Sequence, residues 1–169
     1  METAITALIV ISVLMLSVLA LSERSLSAQA TISEASGAMQ ERLGERARTD
    51  LALIGATTTP GGDYVAVTLR NAGSTRLADF NRWDVILQYT DGAGGYHVTW
   101  YPYSIKWTET IYMDAGMSIV EVVEPGILNP GEEMVVLVGV SPHLVGTGTT
   151  NLATIGAPNG ICASSVFTR

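Results

Sequence analysis

The side chains able to do chemistry are few and poorly spaced for it. His97 falls in a predicted strand and His143 directly follows Pro142, and neither has a Cys or second His at ligand spacing. Asp91-Gly92-Ala93-Gly94-Gly95 has neither the alternating acids of a calcium loop nor the Lys of a phosphate loop, so it reads as a hairpin turn. Glu132-Glu133 follows the Pro130-Gly131 turn and is expected to open a strand as solvated residues, not as a carboxylate pair. Ser164-Ser165 lacks the Gly-x-Ser-x-Gly setting of a nucleophile. The expectation is therefore no enzyme, no cofactor and no metal. Cys162 is the one cysteine, which excludes an intrachain disulfide. Between Ile161 and Ala163 it is expected to be a small buried hydrophobe, with an intermolecular bridge as the alternative. Trp83, Trp100 and Trp107 with Tyr96, Tyr101, Tyr103 and Tyr112 make an aromatic-rich centre, expected to pack as core. A sugar- or surface-binding patch, as in an adhesin, is the alternative.

With so little chemistry to position, the elements themselves carry the information. Thr3 to Ser22 contains no charged residue. About 20 residues at roughly 1.5 Å each reach about 30 Å, enough to cross a bilayer. Glu2 precedes the run where a secretory signal would place Lys or Arg. The segment is thus expected to belong to the working protein, any basic leader having been removed. Glu2 has two readings: pairing with the amino group of a neighbouring copy in a dry core, or standing in water at the positive end of the helix dipole.

The helical pattern continues beyond the apolar run. Leu26, Ala28, Ile32, Ala35, Met39, Leu43, Ala47 and Leu51 recur at three or four positions, opposite a face rich in Glu, Gln and Arg. Proline is absent until Pro60. One helix from about Ala4 to about Asp50 would be roughly 70 Å long. Such a helix needs lipid or copies of itself along its apolar half. The chain is 169 residues with net charge -7, and its acidic remainder has no basic stripe, which argues against nucleic acid.

Residues 51–169 read as a β head, the outer part to the helical domain of residues 1–50. Strands are expected at Tyr64–Arg70, Asp84–Thr90, Tyr96–Tyr101, Lys106–Met113, Met117–Val123, Glu133–Val140, Leu152–Ile155 and Ala163–Phe167. Turns fall at Asn71–Ser74, Asp114–Gly116, Asn129–Gly131, Gly146–Thr150 and Ala157–Gly160. Seven or eight short strands suggest an antiparallel sandwich or small barrel. The fold class expected is α+β: a long N-terminal hydrophobic helix plus an antiparallel, immunoglobulin-like β-sandwich.

The block Ala4-Ile5-Thr6-Ala7-Leu8-Ile9-Val10 resembles the mature N-terminal segment of archaeal flagellins (archaellins), of the type IV pilin superfamily. Leu69-Arg70-Asn71-Ala72-Gly73-Ser74-Thr75 and Leu128-Asn129-Pro130-Gly131-Glu132 resemble strand-end turns of archaellins and accessory archaellum proteins. The glutamate usual in bacterial type IV pilins would fall at Ile5, so that pattern is not met. No Asn-x-Ser/Thr sequon occurs, which leaves the Thr-rich stretches 57–59 and 147–150 as O-glycan candidates or plain polar loops.

The resemblance implies a subunit processed by a prepilin-type peptidase, held in the membrane, then assembled by dedicated machinery into an extracellular filament. Its partners would be its own copies, through Ile5, Leu8, Ile9, Ile11, Leu14, Met15, Leu16, Val18 and Leu19. Swimming is the implied use. A minor archaellum component, an adhesion pilin and a membrane-anchored β-sandwich binding module are the alternatives.

Overall fold

A computed structural model describes residues 2–114, 116–141 and 145–169, leaving aside the side chains of Glu2 and Ala4. Both readings of Glu2, and His143 with Pro142, therefore lie outside the described residues. The chain divides into two compact units, Met1–Leu43 and Gly44–Arg169.

One helix, α1, runs over Glu2–Arg48. Its 47 residues give a length of about 70 Å. The helix stops short of Leu51, which instead opens the first strand with its side chain buried. Arg46 and Arg48 stand in the last turn, where the dipole favours cations.

Eight strands follow: β1 Leu51–Thr58, β2 Tyr64–Asn71, β3 Asp84–Thr90, β4 Tyr96–Tyr101, β5 Trp107–Tyr112, β6 Glu133–Gly139, β7 Thr150–Gly156 and β8 Cys162–Thr168. They form two antiparallel sheets, ordered β1-β2-β6-β5 and β4-β3-β7-β8. That is the strand order of an immunoglobulin-type sandwich carrying one extra strand, β4, at the edge of its second sheet. The expected α+β architecture holds.

Period-two alternation builds the core. Val65, Val67 and Leu69 of β2, Val85 and Leu87 of β3, and Val136 and Val138 of β6 turn inward. Trp83, Tyr101 and Trp107 pack with them, and Trp83 Nε1 donates to the Ala78 carbonyl at 3.0 Å. The same alternation places Tyr96 and Trp100 outside, so the aromatic centre is divided between core and surface.

Four other expectations are corrected. Thr57 and Thr58 are not loop residues; they belong to β1. That strand shifts register between Leu53 and Gly55, and the bulge at Ile54 moves the inward residues from one parity to the other. Met117–Val123 is not a strand; only Val120 bridges to Tyr112. The Asp114 and Glu121 carboxylates take backbone N–H groups that a ladder would have used. Glu133 is buried although alternation turns it away from inward Met134; β6 is a central strand, and Glu133 stands between Arg70 of β2 and Tyr112 of β5.

Cys162 is exposed, not buried. Ala163 and Phe167 point into the core, so Cys162, Ser164 and Val166 must point out. A thiol-specific maleimide should accordingly label Cys162 in the native protein at close to the rate seen in denaturant. Labelling only after unfolding would contradict the outward register of β8.

Candidate assembly surface

Along α1 the sequence supplies side chains and the helix distributes them. Ile5, Leu8, Ile9, Ile11, Leu14, Met15, Leu16, Val18 and Leu19 are all exposed. At about 100° per residue they spread over about 220° of the circumference. Val10, Val13 and Leu21, exposed as well, occupy the remaining sector, so the apolar surface runs all round the axis rather than along one seam. A helix apolar all round is at home in lipid or surrounded by other helices. It is long and apolar enough to cross a membrane, by length and composition.

The polar groups of this half do not spoil such an environment. Ser12 Oγ donates to the Leu8 carbonyl and Ser17 Oγ to the Val13 carbonyl, each at 2.8 Å. The hydroxyls are satisfied inside the helix itself, so drying it leaves neither without a partner. Farther along, Ala28, Ile32, Ala35, Met39 and Leu43 trace a single apolar stripe, which suits a helix with one face in water.

In the second unit, the last turn of α1 is fastened to the sandwich. Ala72 and Gly73 N–H donate to the Asp50 carbonyl at 2.9 and 3.1 Å, and Ser74 N–H donates to the Arg48 carbonyl at 2.9 Å. Thr49 Oγ1 donates to the Glu45 carbonyl and accepts from Asn159 Nδ2. Asn71, fully buried, holds the loop: its Nδ2 reaches the carbonyls of Thr75 and Leu128, and its Oδ1 accepts the Gly73 N–H. Composition offered no sign of this clamp, although its residues lie within the turn that carried the resemblance.

The chemistry-bearing side chains among the described residues do not gather into a site. Among the described residues, no three His, Cys, Asp or Glu converge as a metal set would. His97 lies against Asp91, its Nε2 at 2.8 Å from Asp91 Oδ2, while Asp91 Oδ1 accepts the N–H groups of Ala93 and Gly95. These contacts close the β3–β4 hairpin at the expected turn. The His97 hydrogen bond and then the Gly95 N–H hold the Asp91 carboxyl down to about 2, against an ordinary 3.8.

A lowered carboxyl stabilises the fold above its unfolded-state value, and that contribution disappears as pH falls through the folded-state value. Asp91→Asn should therefore lower the Tm at pH 7. The gap to wild type should close between about pH 4 and pH 2 as the native carboxylate is protonated. Thermal unfolding across that range checks it, and a gap independent of pH would remove the carboxylate from the account.

No protein-family model and no curated protein matches the sequence. Solved structures do match. The archaeal flagellum of Methanospirillum hungatei strain JF1 aligns with TM-score 0.64 at 16% identity, over 97% of this chain and 92% of that one. The archaellum periplasmic stator protein FlaG from Sulfolobus acidocaldarius aligns with TM-score 0.50 at 21% identity, over 70% of this chain and 99% of that one. The fold is archaellin-like. The likeness first seen in a few N-terminal residues thus extends to the backbone of almost the whole chain.

Proposed function

We propose that this chain is the repeating structural subunit of an archaellum-type extracellular filament, without enzymatic activity and used for swimming. One observation carries the reading: an all-round apolar, fully exposed helix of membrane-spanning length precedes a sandwich whose fold is archaellin-like. In this scheme a prepilin-type peptidase prepares the N-terminus and α1 waits in the membrane. Assembly machinery then moves it into a bundle of its own copies. The nine side chains Ile5 to Leu19 named above make the dry core, and the sandwich forms the outer shell.

Lipid already shields these side chains, so bundle formation in the membrane exchanges one apolar environment for another and is decided by packing. Outside the cell the balance changes. Each large side chain returned to water forfeits about 1.5–3 kcal/mol, so a finished polymer resists shedding its subunits. The likeness to FlaG favours a second reading, an accessory archaellum component.

Cryo-electron microscopy of filaments sheared from cells separates the two. Shafts built of this chain, with α1 bundled at the axis, support the subunit reading. Shafts traced to another chain, with this one retained in the membrane fraction, would replace it by the accessory reading.

A further inference from the structure

The sandwich exposes two unlike apolar patches. The first is the outward face of β4, where Tyr96 and Trp100 are 65% and 56% exposed on either side of Val98. Both rings are pinned. Tyr96 Oη donates to Gln88 Oε1 and Trp100 Nε1 donates to Asp84 Oδ1, each at 2.9 Å. In the register Tyr96 stands opposite Thr90 and Trp100 opposite Ile86. Each ring therefore leans across β3 to the residue two positions before its partner, both in the same direction. Their polar ends are satisfied within the sheet, and the ring faces with Val98 between them are left outward as apolar surface.

The second patch follows β5. Asp114 accepts the N–H groups of Ser118 and Ile119, and Glu121 those of Val123 and Glu124. With both carboxylates folded into the segment's own backbone, Ile119, Val120, Val122 and Val123 are left outside between Ser118 and the Glu124–Arg76 ion pair. Val122 and Val123 are 78% and 81% exposed, beside Ile119.

We propose that these patches dock on each other between neighbouring copies, the ring face of one sandwich receiving the Ile119–Val123 segment of the next. The proposal rests on the polymer reading above. Area selects a second copy as the occupant. Each patch presents roughly 400–500 Å² of apolar surface, the size of the largest patch on a typical monomer, which is often functional. Mated, they bury at most roughly 800–1,000 Å², at or just below the lower limit for a specific interface. That is too little to pair free subunits, but it suffices for copies already gathered by α1, whose effective concentration is on the order of millimolar. Two different surfaces also give a heterologous contact, which propagates where a self-complementary one would close into a dimer.

Photo-cross-linking of the full chain in living cells tests this, with p-benzoylphenylalanine replacing Val98 in one variant and Leu14 in another. The Val98 probe should join copy to copy, with the link mapping to residues 116–124. Adding Val122→Asp with Val123→Asp should lower that yield roughly tenfold or more, since each carboxylate would be buried unpaired, while leaving the Leu14 link intact. Copy-to-copy links from Leu14 without any from Val98 overturn the docking and spare the polymer. The same holds if the Val98 probe captures only a glycan or a different protein. No copy-to-copy link from either position overturns both.

Discussion

Leu14→Asp should leave cells without filaments while the sandwich folds as before. Leu14 sits midway along the apolar half of α1, exposed, with Val10, Ile11 and Val18 as neighbours on the helix surface. In a bundle of copies its carboxylate would have no cation to meet, and an unpaired buried charge costs several kcal/mol. Because every subunit carries the substitution, the penalty recurs at each step of growth. The same carboxylate at the centre of a membrane helix costs only about 2.5–3.5 kcal/mol on insertion scales. A simple anchor should therefore survive the change in part and a polymer should not.

Leu14→Met conserves volume and is expected to cost less than about 1.5 kcal/mol, so filaments should persist. Electron microscopy of cell surfaces, with immunodetection of the chain in membranes and medium, reads both variants. Filaments of normal length from Leu14→Asp cells would remove this part of α1 from the core.

The sequence revealed most where one physical rule acted alone. Alternation set β2, β3 and β4 almost to the residue, and unbroken apolarity set the first half of α1. Errors arose where two rules met. The bulge at Ile54 scrambled the parity of β1, so its threonines looked like loop. Met117–Val123 has strand composition, but Asp114 and Glu121 withdraw its N–H groups locally.

Cys162 and Trp100 were misjudged by residue type although the parity of their own strands places them outside. The helix is a different case. Its neighbours are other molecules, and an all-round apolar surface specifies that they lie on every side without naming which residues meet.

Gly73→Ala should be strongly destabilising to the sandwich unit. A Cβ at this position would fall inside contact distance of the Arg48 carbonyl oxygen, 2.5 Å from Asp50 N and 3.1 Å from the Thr49 carbonyl carbon. All three are backbone atoms of the connection from α1 to β1, so no side chain can swing away to make room. Nor can the loop retreat freely, since Asn71 holds it through Thr75 and Leu128.

Relief would have to come from breaking the bonds of Ala72, Gly73 and Ser74 to the Asp50 and Arg48 carbonyls. Overpacking alone costs about 1–3 kcal/mol, and each lost hydrogen bond adds about 1 kcal/mol. A loss of about 3 kcal/mol or more follows, a Tm drop of roughly 10 °C or greater for a unit of this size. Gly126→Ala is the control, because a Cβ there meets nothing within 4 Å. It should shift stability by about 0.5 kcal/mol or less.

Near-ultraviolet circular dichroism on heating, which reports on buried Trp83 and Trp107, compares the two in detergent. Equal midpoints would mean that residues 72–74 do not fasten the end of α1. A large gap would explain why Asn71-Ala72-Gly73-Ser74-Thr75, one of the stretches that resembles archaellins, takes this form: an amide to hold the loop, and a residue without a side chain where the helix enters the sandwich.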